Sequence, residues 1–246
     1  MKKLIILSLL WGCGITLSIA QTDVNKSFQL STAQKVELKF QFADVKVRYW
    51  DKNEVKVQGR ISINMGENDA AYALTSSMEN NTLVVKGDIP DINKLPQYIQ
   101  VKEGEDLTVI KMEKGKSWDR QVKNVNGESI NVGVIKEISL EVFVPKNKRT
   151  DVYTKFGMIE TTDPEGNIVL NAKFGGVDVS CSASSKYNFE IDYEWGEVYT
   201  DLNLNIEKSQ KFNKKKDQLI KAKMNGGGKT IFIDSKFGNV YLRKKK

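Results

Sequence analysis

The sequence predicts an all-β protein, a β-solenoid with rungs of about 20 residues, with an antiparallel β-sandwich as the alternative. Three observations predict it. One ten-residue string recurs: Val152–Thr161 (VYTKFGMIET), Leu170–Val179 (LNAKFGGVDV), Ile191–Thr200 (IDYEWGEVYT) and Ile233–Leu242 (IDSKFGNVYL), with a fainter copy at Leu38–Val47 (LKFQFADVKV). Apolar side chains change phase by one residue inside each copy, as a strand does only at a bend or bulge. The aromatics of successive copies, Phe156, Phe174, Trp195 and Phe237, are 18, 21 and 42 residues apart, the last being twice 21.

The phase change locates the corner. Ile168, Leu170, Ala172 and Phe174 share one strand face, and Val177 and Val179 lie on the opposite parity. Glycine tolerates a kink of that kind. The predicted corners are therefore Phe42-Ala43, Phe156-Gly157, Phe174-Gly175, Trp195-Gly196 and Phe237-Gly238, with Ala43 the exception to glycine. Stacked in chain order, the aromatics form an internal ladder. The rung missing between Trp195 and Phe237 falls at Leu219–Met224, with Lys208–Asp217 a loop leaving it. Lys155, Lys173, Glu194 and Lys236 form an outward charged column, read as solvated lysines that protect an edge, or else as a stripe for acidic glycan.

Along the chain, Lys2 and Lys3, the apolar run Leu4–Leu10 and the small residues Ser18-Ile19-Ala20 describe a signal peptide over 1–20, cleaved after Ala20. A lipid anchor at Cys13 is the less favoured alternative, because Trp11 is bulky for a lipidation box. Residues 21–246 form a single β-repeat domain, irregular over 21–145 and regular over 146–246. Alternation at Val36, Leu38, Phe40 and Phe42, at Val45 and Val47, and at Val55, Val57, Ile61 and Ile63 gives strands. Ala70, Leu74 and Met78, spaced by four, give a short helix near 67–79. Leu83–Val85, Leu107–Met112 and Ile138–Val144 give further strands. The signal over 88–127 is otherwise weak, and Trp118 is read as folded back over the core.

Composition excludes several chemistries. The chain has no histidine, so Ser-His and Cys-His pairs and histidine metal sites are absent. Beyond the leader Cys181 stands alone, leaving no internal disulfide. The formal charge of +7 falls to +5 without Lys2 and Lys3, with no concentrated basic groove for nucleic acid. Asp192 and Glu194 share a strand face near Glu197, the nearest thing to a glycosidase pair, but outward carboxylates on a repeat are ordinarily for solubility. Asp163-Pro164-Glu165-Gly166-Asn167 is a turn rather than a calcium loop. Gly226-Gly227-Gly228-Lys229-Thr230 runs into a strand, not the helix of a phosphate loop. No catalytic residue, cofactor or metal is expected, nor a transmembrane segment in the mature chain.

Phe42–Asn64 (FADVKVRYWDKNEVKVQGRISIN), Leu140–Gly157 (LEVFVPKNKRTDVYTKFG) and the KFG-type rungs resemble a family of exported β-strand-repeat proteins of Bacteroidetes-type bacteria. That family is DUF4097-like and carries the label "putative adhesin". The resemblance covers most of the mature chain apart from 88–127. It implies a right-handed, β-helix-like solenoid, an envelope location and no established catalytic residue. The expected function is a non-enzymatic exported envelope protein, periplasmic or on the cell surface, serving as a scaffold or adhesin-like module whose partner is an envelope protein or acidic glycan. A carbohydrate-active enzyme, hydrolase or lyase, and an anionic-glycan-binding module are the alternatives.

Overall fold

The computed structural model describes residues 21–117, 121, 129–146, 148–212 and 217–246. The predicted signal peptide, Cys13 and Trp118 lie outside the described residues. In chain order the first strands are β1 (Thr22–Gln29), β2 (Lys35–Phe40), β3 (Asp44–Trp50), β4 (Glu54–Ile63), β5 (Ala73–Glu79) and β6 (Thr82–Asp88). Then come β7 (Tyr98–Glu103), β8 (Asp106–Lys111), β9 (Ser129–Gly133), β10 (Lys136–Pro145), β11 (Arg149–Phe156), β12 (Ile159–Thr162), β13 (Ile168–Phe174) and β14 (Val177–Cys181). The last are β15 (Tyr187–Tyr193), β16 (Val198–Thr200), β17 (Asn205–Phe212), β18 (Asp217–Met224), β19 (Lys229–Ser235) and β20 (Val240–Lys244).

The fold is all-β, with two large mixed sheets and a small one. One large sheet runs β1-β4-β10-β3-β12-β14-β20-β16, the other β17-β18-β15-β19-β13-β11-β2-β6-β5, and the third is β8-β7-β9. Each copy of the repeated string places its first arm in the nine-stranded sheet and its second in the eight-stranded one. Equivalent arms pair in parallel with like residues opposite: Phe156 faces Phe174, Leu170 faces Ile233, and Val177 lies between Ile159 and Val240. Identical strings alternate identically, so this register places inward residue against inward residue.

The core between these arms is aliphatic. Val36, Leu38, Val152, Leu170, Ile233 and Ile191 point in from one sheet, and Val45, Val47, Ile159, Val179 and Leu242 from the other, all buried. Each contributes about 1.5–3 kcal/mol by leaving water.

Four features differ from the sequence reading. The stacking order is not the chain order, because β19 lies between β13 and β15. Leu219–Met224 is not a rung between two others. It belongs to β18, which pairs antiparallel with β15 and carries β17 outside it, so Lys208–Phe212 is strand rather than loop. The helix near 67–79 is absent: Asp69–Ala71 is one 3-10 turn and Ala73–Glu79 is strand β5. Asn80 and Asn81, both left-handed (φ +48° and +60°), make the two-residue turn that folds β5 onto β6. Finally, Phe156, Phe174, Phe237 and Trp195 are 39, 41, 46 and 49% exposed, so the ring ladder lies outside the core.

Candidate interaction surface

Each corner glycine is held against the backbone of the neighbouring copy. A Cβ on Gly157 would meet the Ala43 carbonyl oxygen at 2.1 Å, one on Gly175 that of Gly157 at 2.1 Å, one on Gly238 that of Gly175 at 1.2 Å, and one on Gly196 that of Gly238 at 2.2 Å. Only Gly157 of these four has a positive φ, +143°. Glycine is required here chiefly for close approach, not for an unusual backbone conformation. Ala43 ends this line of contacts, which accounts for alanine in that copy alone. Where the residue two before the aromatic is Thr154 or Ser235, its buried hydroxyl donates to the carbonyl of Gly157 or Gly238, at 2.9 Å in both cases.

Outside the glycines the rings stack. Phe42 and Phe156 have centroids 5.4 Å apart and planes 4° from parallel. Phe156 and Phe174 are 5.1 Å and 11° apart, Phe174 and Phe237 4.9 Å and 9°, and Phe237 and Trp195 6.4 Å and 15°. The rings spend their faces on each other and leave edges to solvent. A second, shorter stack, Tyr199 on Tyr241 at 5.4 Å, lies on the eight-stranded sheet.

The predicted charged residues stand beside the rings. The ammonium of Lys155 lies 5.4 Å from the Phe156 centroid, and that of Lys173 5.4 Å from Phe174. Lys236 pairs with Glu194 at 3.3 Å. Their order across the sheet is Lys155, Lys173, Lys236, Glu194, following the strands. Lys136, which the sequence reading did not single out, lies 5.0 Å from the Phe42 centroid and donates to the Val134 carbonyl.

Of the carboxylates considered for catalysis, Asp192 and Glu194 have Asp234 beside them. Asp192 is opposite Asp234 on β19, and Asn171 donates to Asp234 at 2.6 Å. Burial, then the charge of Asp192, raises the Asp234 carboxyl above its ordinary range. Glu194 is committed to Lys236, and Glu197, beyond the corner, accepts from the Tyr199 hydroxyl at 2.5 Å.

Two concavities flank these features. A groove of about 1040 Å³ crosses β1, β4, β10 and β3 and reaches the ring stack at Phe42 and Phe156. Some of its charges are engaged, in part by residues outside it: Glu141 accepts from Arg48 and Gln58, and Lys46 pairs with Glu160. A smaller one, about 530 Å³, lies at the turn after β12. There Asp163 accepts from the Ser182 amide and hydroxyl, both at 2.6 Å, and from Ser185 and Lys245. Burial works to raise the Asp163 carboxyl, but these donors outweigh it and hold it below the usual range. The turn is thus a latch tied by its own hydrogen bonds. Neither concavity is lined by Asp192, Glu194 or Asp234. Cys181 is buried, and burial pushes its thiol up to about 12. Among the described residues no group of three His, Cys, Asp or Glu could hold a metal ion, and no helix is long and apolar enough to cross a membrane.

The lysines beside Phe156 and Phe174 were visible in the sequence as K-F-G. The hydroxyl that caps the corner was visible too, as Thr or Ser one residue earlier. The groove was not, because it needs β10, far along the chain, to join β1, β3 and β4.

No protein-family model and no curated protein matches this chain. Two solved structures are similar. A "putative cell adhesion protein" from Clostridium sporogenes is 11% identical, with 92% of this chain and 100% of that one covered and a TM-score of 0.49. A "putative adhesin" from Bacteroides fragilis is 10% identical, with 91% and 97% covered and a TM-score of 0.21. At these values neither likeness assigns an activity.

Proposed function

We propose that the chain is an exported, non-enzymatic cell-envelope protein whose repeated copies form the coils of a β-solenoid, and that this stack is a scaffold presenting an adhesin-like interaction face. One observation carries the reading: the residues that recur most strictly are spent on joining coil to coil. The corner glycines accept the neighbour's backbone, and the aromatics pack on the aromatics of adjacent copies. Repetition therefore serves length and rigidity, as in other stacked-repeat proteins. The Lys2-Lys3 start, the apolar run Leu4–Leu10 and Ser18-Ile19-Ala20 support export. The commitment of Glu194 to Lys236 and of Asp163 to its serines supports a non-enzymatic role.

Fractionation of cells producing the protein, with intact-mass measurement of the recovered chain, tests this. The expected result is a chain beginning at Gln21 in the envelope or medium. A full-length chain beginning at Met1 in the cytoplasm would overturn it.

A further inference from the structure

We propose that the lysine pair beside the ring stack, Lys155 and Lys173 on adjacent rungs, binds a linear acidic glycan, its carboxylates or sulfates taken up at the two ammoniums. This deepens the reading of the chain as an interaction module and rests on it.

The edge-protection reading of these lysines does not survive the topology. Lys155 is on β11 and Lys173 on β13, both flanked by strands on either side, and Lys236 follows β19, which is flanked too. Elsewhere on this sheet lysines meet carboxylates across the rungs: Lys35 with Asp151 at 2.5 Å, Lys221 with Glu190 at 3.0 Å, Lys236 with Glu194 at 3.3 Å. Lys155 and Lys173, in the middle of the sheet, differ from these. Among the described residues neither has a carboxylate within ion-pair distance, and each ammonium lies 5.4 Å from a ring centroid instead. The two side chains leave adjacent strands about 4.8 Å apart, so their like charges repel. The residues two earlier on their strands, Tyr153 and Asn171, are neutral hydrogen-bonding groups.

The rings select the kind of glycan. A neutral sugar stacks on an aromatic face, but the faces here are taken by the neighbouring rings, at 4.9 to 5.4 Å along the phenylalanines. The exposed edges carry the positive part of the aromatic quadrupole, so rings and ammoniums alike favour oxygen anions. The charges recur in a line at the rung interval, comparable with the advance of one sugar along an extended chain. A polymer with one acid per sugar meets Lys155 and Lys173 at once, as a single small anion does not.

The test uses the purified protein, titrated calorimetrically with oligogalacturonate, with its fully methyl-esterified form, with chondroitin sulfate, and with oligo-dT. Binding of either acidic glycan but not of the ester, weakening between roughly 50 and 200 mM salt, is expected. Lys155→Gln with Lys173→Gln should lower affinity about tenfold or more with an unchanged melting temperature. Lys102→Gln with Lys114→Gln, on a different part of the surface, should leave it unaltered. The proposal is overturned by failure of both acidic glycans to bind, by equal binding of the ester, or by full affinity in the Lys155/Lys173 variant. It is likewise overturned if oligo-dT binds as tightly through the same lysines. None of these results touches the export and scaffold reading, which the mass and fractionation measurement decides separately.

Discussion

Gly238→Ala tests the corner most severely. The added Cβ would fall 1.2 Å from the Gly175 carbonyl oxygen, whereas an unstrained carbon–oxygen contact is about 3.3 Å. Roughly 2 Å must be recovered by prising two rungs apart. That opening strains the bonds from the Phe237 amide to the Lys173 carbonyl and from the Val177 amide to the Asn239 carbonyl, each 3.0 Å. Overpacking of this kind costs about 1–3 kcal/mol, and each weakened bond adds up to about 1 kcal/mol. A total near 4 kcal/mol lowers the melting temperature by roughly 8–16 °C for a chain of this size. Scanning calorimetry reads it directly. Gly226→Ala is the control: φ is +84° but nothing lies within 4 Å of the new methyl, so backbone strain alone applies, about 1 kcal/mol. Ala43→Gly, at the end of the line, should cost about 1 kcal/mol or less. If Gly238→Ala melts with the parent, or Gly226→Ala falls further than Gly238→Ala, steric contact is not what requires glycine at the corner.

Three further outcomes follow from the same geometry. Ser235→Ala removes the donor to the Gly238 carbonyl and should destabilise by about 1–2 kcal/mol, measured by urea unfolding, with Ser235→Thr largely restoring it. Asp163→Asn should destabilise by about 1 kcal/mol at neutral pH, discounted for partial exposure. The Asp163 carboxyl is held below its ordinary value, so its contribution is present above about pH 4 and lost as pH falls through the lowered pKa. The melting curves of parent and variant should therefore converge in acid, and a gap that stays constant down to acid pH contradicts the latch. Cys181, its thiol pushed up to about 12 by burial, should resist a thiol-reactive dye at pH 8 until the protein is denatured. Rapid stoichiometric labelling of the native protein would contradict that burial.

The parts of this fold written in local pattern were legible. Strands β2, β3, β4 and β10 follow from strict alternation, and the corners follow from the parity change at Phe174-Gly175 and its counterparts. The short helix was misread because Ala70, Leu74 and Met78 also share a parity, so a spacing of four fits a strand as well as a helix. Asn80-Asn81 was the arbiter, since two left-handed residues close a hairpin. The rings were placed inside by extending the parity of Ile168, Leu170 and Ala172 one step too far, where the corner has already lifted Phe174 out. The stacking order was not legible. Near-identical strings at β13, β15 and β19 offer each other equivalent partners, and nothing local distinguishes Phe174 beside Trp195 from Phe174 beside Phe237. The lysine column was visible, but its lack of carboxylate neighbours at Lys155 and Lys173 depends on that order and on side chains from other strands.

The exchange of β19 and β15 is the central claim about how the repeats assemble, and disulfide trapping tests it most directly. Asn171 lies opposite Asp234, which lies opposite Asp192. Cysteines at 171 and 234 are therefore one strand spacing apart, about 4.8 Å, within disulfide reach. Cysteines at 171 and 192 are two spacings apart, about 9.6 Å, and beyond it. With Cys181 buried and unreactive in the native protein, mild oxidation should close Asn171→Cys with Asp234→Cys and leave Asn171→Cys with Asp192→Cys as free thiols. Closure of the 171–192 pair in place of the 171–234 pair would show that the copies stack in chain order after all.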